Sequence, residues 1–299
     1  MVLAGMVLRA ARERKSMRFD VISIFPDLFP GPLGDGIIAR ASDKGLLDLQ
    51  VHDLRAYADP PHHQVDDEPF GGGGGMVLKP EPLFTAVDDV RAQVEAAGFD
   101  PGPVVLLSPQ GQRFDQQRAR ALSGQGQVTL ICGRYEGVDE RVRHHLVDFE
   151  LSIGDYVLTG GELPAMVVIE AVTRLQPEAL GDAEATQHDS FSESLLDFPQ
   201  YTRPADYRGM SVPEVLRSGN HPAIARWRRQ QALLATATKR PDLLEARGLS
   251  DEERALLAEA PNAETEASLA DEVISDVETA ETENDRSRAV VASCDETQE

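Results

Sequence analysis

Three glycine-containing loops carry the residues with most chemical potential in this chain. They are Ser108-Pro109-Gln110-Gly111, Gly133-Arg134-Tyr135-Glu136-Gly137, and the run from Ser152 through Gly154, Asp155, Gly160 and Gly161 to Met166. Each follows an apolar, strand-like segment. Glycine lets backbone amides and carbonyls approach a ligand closely. Three such loops at one end of a sheet make a composite pocket for a small organic molecule. No Gly-Lys-Ser/Thr follows any of them, which excludes a P-loop. None makes G-x-G-x-x-G at a first strand–helix turn, which disfavours an ordinary dinucleotide fold. His62-His63, near Asp66-Asp67-Glu68, matches no familiar metal-ligand spacing. His144-His145 reads as surface or helix-end histidine.

The elements that must position these loops are legible from periodicity. Strands are expected at Arg18–Phe25, Leu47–Leu54, Val104–Leu107, Val128–Cys132 and Leu146–Ile153. Helices are expected at Pro32–Lys44, Pro80–Ala96, Asp115–Leu122 and Leu163–Leu175, the last with almost no polar face and therefore buried. A long polar loop, Ala58–Gly75, ends in five consecutive glycines. Alternating strands and helices imply an α/β domain with a mainly parallel sheet. After Pro177 the composition changes: Gly181–Ser194 suits an exposed linker, and from Ser211 the pattern is helical throughout. Ile224, Trp227, Gln231 and Leu234 are expected to form the inner face of a helix over Pro222–Lys239. Ser250-x-x-Glu253 predicts a capping box.

The chain has 299 residues, enough for one large or two modest domains. No stretch reaches the roughly 18 apolar residues of a membrane span. Apolar residues precede the basic ones at the N-terminus, the reverse of a secretory signal. Two cysteines, Cys132 and Cys294, make no disulfide framework and fit a reducing cytoplasm, and Cys132 reads as an inert buried thiol. The net charge of −22 is uneven. Residues 251–299 hold 16 acids against 3 bases, whereas residues 205–250 hold 8 bases against 4 acids. The basic segment suits either a polyanion or a solvated helical surface.

Taken together, the motifs resemble the TrmD family, the bacterial tRNA (guanine-N(1)-)-methyltransferases of the SPOUT superfamily. The resemblance spans roughly Met17 to Ala260. Besides the three loops it rests on Phe19-Asp20-Val21 with Phe25-Pro26, and on Asp66-Asp67-x-Pro69-Phe70-Gly71-Gly72-Gly73. It extends through Val138-Asp139-Glu140-Arg141, Asp189-Ser190-Phe191, Leu195-Leu196-Asp197, Tyr201-Thr202-Arg203-Pro204 and Ser218-Gly219-Asn220-His221. Departures are Phe70 where Tyr is usual, a fifth glycine at Gly74, and Ala185 and His188 in the linker.

The resemblance implies a SPOUT-type trefoil-knotted α/β domain over 17–180, a linker over 181–197 and a small all-α tRNA-binding domain over 198–260. A disordered extension, 1–16, and a disordered acidic tail, 261–299, flank them. It implies S-adenosyl-L-methionine held by Leu107, Ser108, Pro109, Gln110, Gly111, Gly133, Arg134, Tyr135, Glu136 and Gly137. The third loop adds Ile153, Gly154, Asp155, Tyr156, Val157, Leu158, Gly160, Gly161 and Pro164. Methylation of guanine N1 requires a base for its proton and a cation for charge on O6. The resemblance assigns these to Asp189 and Arg174. On sequence alone Asp189 is equally a capping linker acid, and Arg174 a helix C-terminal cation. Glu136, Arg203, Arg226, Arg228 and Arg229 are the expected tRNA contacts, with Trp227 as core. A homodimer with its active site at the subunit interface, the tRNA anticodon stem-loop as partner, and help from magnesium are further implications.

Overall fold

A computed structural model of the chain describes residues 16–181 and 189–259. The N-terminal extension before Ser16, Ala185 and His188, and the tail with Cys294 lie outside the described residues. The chain divides into two compact units at residue 186.

The first unit holds a five-stranded sheet in the order β2-β1-β6-β5-β7. Its strands are β1 Met17–Ser23, β2 Leu47–Asp53, β5 Val104–Arg113, β6 Gln127–Cys132 and β7 Phe149–Ser152, and every pairing is parallel. All residues of β1 and β6 are buried, as expected where both faces of a parallel sheet are covered. Successive side chains point to opposite faces. Phe19, Val21 and Leu130 therefore join one core with Val168, Ile169 and Val172 of α5 (Glu162–Thr173). Ile22, Ile24, Leu106 and Ile131 join a second core with Leu83, Val87, Val90 and Val94 of α2 (Pro80–Ala96). Further helices of this unit are α1 (Gly36–Asp43), α3 (Gln116–Ser123) and α4 (Glu140–His145), with short helical turns at Pro26–Leu28, Pro30–Leu33 and Leu54–Tyr57. Asp35 and Asp115 cap α1 and α3 by accepting backbone N–H bonds.

Four departures from expectation bear on the site. The fifth strand continues past Leu107 to Arg113, and both Leu107 and Gln112 register with Leu151. Residues 108–111 therefore bulge out of the ladder as a loop. Helix α4 was missed by the periodicity reading, because only Val142 of its single face is buried. It starts where the Asp139 carboxylate accepts from Arg141 N. Full burial of α5 fails along one stripe: Leu163 is 59% and Val167 45% exposed. The polar loop before the glycine run also forms a small ribbon, β3 (Asp66–Asp67) against β4 (Val77–Leu78).

The second unit is not all-α. It contains a ribbon, β8 (Asp206–Tyr207) against β9 (Met210–Ser211). The turn residues Arg208 and Gly209 both take positive φ, 55° and 80°, as a two-residue hairpin turn demands. Helices α6 (Glu214–Arg217), α7 (His221–Lys239), α8 (Pro241–Arg247) and α9 (Asp251–Ala258) follow. The capping box at α9 is present in both halves, Ser250 to Glu253 and back. The inner face of α7 is rotated from expectation. Ala232, Leu233 and Thr236 are buried, with Leu195 and Leu256 completing the core. Trp227 is only half-buried, its ring 6.3 Å from Tyr201, so it is not a core residue.

Candidate active site

The three loops meet. All leave the same, C-terminal edge of the sheet, because β5, β6 and β7 run parallel. Backbone bonds stitch them together. Gly161 N donates to Gly133 O at 2.9 Å, and Arg134 bridges to Gly160. Glu136 N donates to Met76 O at 3.0 Å and Leu78 N to Gly137 O at 3.0 Å, tying the second loop to β4. Phe114 N donates to Ser152 O at 2.7 Å, closing the first loop on the third.

Between them lies a cleft of about 240 Å³. Of the residues expected to hold the cofactor, 107–110, 133–137, Ile153, Gly154, 156–158, Gly160, Gly161 and Pro164 line it. Gly111 and Asp155 do not. Gly111 is needed for another reason: a Cβ there would sit 2.5 Å from Leu151 N, where the strand rejoins β7. Asp155 is exposed on the third loop. The sequence reading missed Arg143 of α4, which also lines the cleft. Its guanidinium donates to Gln110 Oε1 at 2.9 Å and Glu150 Oε2 at 2.5 Å, clamping the bulged loop to β7. The Asp139-Glu140 capping signature was the available signal for that helix.

Arg134, which lines the cleft, is held by a buried carboxylate. Glu162 opens α5 and is 1% exposed. Ser23 Oγ donates to its Oε1 at 2.7 Å, while Arg134 Nε and Nη2 donate to Oε2 at 3.0 and 2.9 Å. Arg134 also stacks 4.5 Å over the Phe25 ring. Gly160 has no space for a Cβ against Arg134 and Glu162, and one at Gly161 would lie 2.7 Å from Cys132 Cα. Burial drives the Cys132 thiol well above its ordinary value, so it stays protonated and inert. Tyr135 adopts φ 59°, a strained conformation for a bulky side chain. Partial desolvation and the neighbouring Asp66 carboxylate raise its phenol pKa.

Neither member of the expected catalytic pair, Arg174 and Asp189, is among the residues that line the cleft. Arg174 caps the C-terminus of α5, its N–H donating to Glu170 O. The 12 residues of α5 place about 18 Å between the cleft end of the helix and that cap. Asp189 belongs to the second unit, where its carbonyl accepts from Ser192 N at 3.0 Å. It lines a recess with Leu195, Arg228 and Arg229. Arg229 donates to Glu193 and Glu253 at 2.6 Å each, and Arg226 pairs with Glu259. Among the described residues no cluster of three or more His, Cys, Asp or Glu side chains could hold a metal ion. The expected magnesium finds no support in them.

Comparison with known proteins decides the family. The model of the tRNA (Guanine-1)-methyltransferase TrmD family matches residues 17–246. The chain belongs to the TrmD family. A tRNA (guanine-N(1)-)-methyltransferase of Moorella thermoacetica is 56% identical over 250 residues, covering 84% of this chain and 99% of that protein. The Desulforudis audaxviator enzyme of the same name is 52% identical over 243 residues, covering 81% and 96%. That of Heliobacterium modesticaldum is 54% identical over 244 residues, covering 82% and 90%. As a TrmD-family chain this protein is a methyltransferase. No described helix is long and apolar enough to cross a membrane.

Proposed function

We propose that this enzyme transfers a methyl group from S-adenosyl-L-methionine to N1 of the guanosine immediately 3′ to the anticodon of tRNA, in the cytoplasm. The observation that carries the reading is the three-loop cleft at the sheet's C-terminal edge, in a chain of the TrmD family. Its walls suit a nucleoside donor. Backbone groups of the glycine loops can read an adenine edge, and Ile153, Leu158 and Pro164 offer apolar faces. Tyr135 and Tyr156, each about half exposed, are the aromatic surfaces such a ligand would cover. When bound, the donor supplies a methyl group on a positively charged sulfur. A trefoil knot through these loops is part of the same reading.

Guanine N1 carries a proton at neutral pH, so its lone pair must be released. Asp189 takes that proton, and Arg174 balances the charge that builds on O6. Base assistance of this kind is typically worth about 10²–10⁴-fold, and a fixed guanidinium is suited to a developing oxyanion. Glu136, on the cleft rim, lies between donor and target base. Chemistry on N1 requires the base to be flipped from its stack. Arg203 and Arg228 meet tRNA phosphates, while Arg226 and Arg229 act on RNA less directly because carboxylates already hold them.

The active unit is a homodimer, with donor and Asp189 contributed by different copies. The exposed apolar stripe of Leu163 and Val167 supports this. It lies on the helix that joins the cleft to Arg174. The test is incubation with labelled donor and tRNA transcripts that do or do not carry guanosine at the target position, followed by nucleoside analysis. 1-Methylguanosine from the guanosine transcript alone is the expected product. A 2′-O-methyl nucleoside, or binding without transfer, would overturn the proposal.

A further inference from the structure

The arginines of the second unit separate into two groups. Arg226, Arg229, Arg240, Arg247 and Arg254 are each paired with a carboxylate of the same unit. Arg203, Arg208, Arg217 and Arg228 make no ion pair with any described residue, and all four are exposed, Arg208 lying over the ring of its neighbour Tyr207. The Arg228 guanidinium instead lies 4.8 Å over the Phe198 ring, which orients it without neutralising it. Arg203, Arg217 and Arg228, but not Arg208, line one recess of about 400 Å³. Tyr201 is a further wall, half exposed and tilted at 53° to Trp227. Arg228 also lines the adjoining recess that contains Asp189.

Unneutralised guanidiniums beside an accessible aromatic ring match the two recurrent needs of single-stranded nucleic acid. Cations meet the phosphates and a π-face takes a base. We propose that this recess seats the RNA nucleotide next to the target guanosine. Arg203, Arg217 and Arg228 hold its phosphodiester, and Tyr201, braced by Trp227, stacks its base. The inference rests on the tRNA-methylating reading above and adds Arg217 and Tyr201 to it. Arg228, as the wall common to both recesses, sets the step between the two nucleotides.

The experiment is equilibrium binding of an unmodified tRNA transcript to the full chain at several salt concentrations, with donor binding measured separately. Arg203→Ala, Arg217→Ala and Arg228→Ala should each weaken binding and lower the slope of log K against log salt by about one. Tyr201→Leu should weaken binding on the order of tenfold with the slope unchanged. Arg254→Ala, which removes the same charge from α9, should alter neither. Donor affinity and the thermal melt of the whole chain should be unaffected in every variant, and the melt separates a lost RNA contact from misfolding of the second unit. Wild-type affinity and slope in Arg203→Ala and Arg217→Ala would overturn the seat while leaving the methyltransferase reading intact. Failure of the unaltered protein to bind tRNA would overturn both.

Discussion

Arg134 reaches Glu162 twice, with Nε 3.0 Å and Nη2 2.9 Å from the same carboxylate oxygen, beneath the cleft. The other oxygen takes the Ser23 hydroxyl, so a buried carboxylate ties β1, the second loop and α5 together. Leaving one member of a buried ion pair alone is strongly destabilising, about 3–5 kcal/mol. Glu162→Gln keeps the shape and the acceptor but loses the charge. It should weaken donor binding about tenfold, equivalent to about 1.4 kcal/mol, by loosening the loop that carries Tyr135 and Glu136. Calorimetric titration with S-adenosyl-L-methionine checks this. Unchanged affinity would show that the pair does not organise the cleft.

The glycines of the chain divide by what surrounds them. Gly161→Ala places a methyl group 2.7 Å from Cys132 Cα, a clash with backbone that cannot rotate away. It should cost about 1–3 kcal/mol of stability, as overpacking does, and abolish tight donor binding. Gly74→Ala meets nothing within 4 Å and no positive φ, and should be neutral in both assays. Thermal melts with and without donor discriminate the two.

Glu253 makes the second unit acid-sensitive. Burial disfavours its charge, but hydrogen bonds from Arg247, the Ser250 N–H and Arg229 outweigh burial and bring its pKa from 4.5 to about 2. A depressed pKa contributes stability that is complete above the unfolded value and lost as pH falls through the folded one. Stability should therefore decline between about pH 4.5 and 2. Trp227, the chain's one tryptophan, reports it by fluorescence. Glu253→Gln retains the cap but should lose about 2 kcal/mol at neutral pH and flatten that decline. An unaltered acid profile would contradict the assignment.

Much of this was legible in the residues, for physical reasons. The two cores follow from β-branched and leucine-rich strands and from the 3–4 spacing of Leu83, Val87, Val90 and Val94. The cleft was legible because glycine has few reasons to recur after successive strands. Arg143 was hidden because α4 is too short to show a period, and Gly111 because its need comes from a strand that re-pairs after a bulge. The α7 face was misjudged because Leu195 and α9, distant in sequence, decide which side is buried. The paired state of Arg229 likewise depends on Glu193 and Glu253, which local sequence does not connect.

The family match ends at residue 246, and residues 251–299 are strongly acidic. Deleting residues 261–299 should leave methylation of tRNA within about twofold. It should strengthen binding of nonspecific RNA at low salt, since like charge repels a polyanion. Loss of folding on truncation, or an unaltered salt dependence, would contradict that role.

If a carboxylate frees guanine N1 for methylation, Asp189→Asn removes that carboxylate and nothing else. The measurement is single-turnover methyl transfer to tRNA at saturating donor, alongside donor and tRNA affinity. The affinities should be unchanged and the rate lowered about 10²–10⁴-fold. A rate within a few-fold of the unaltered enzyme would contradict it.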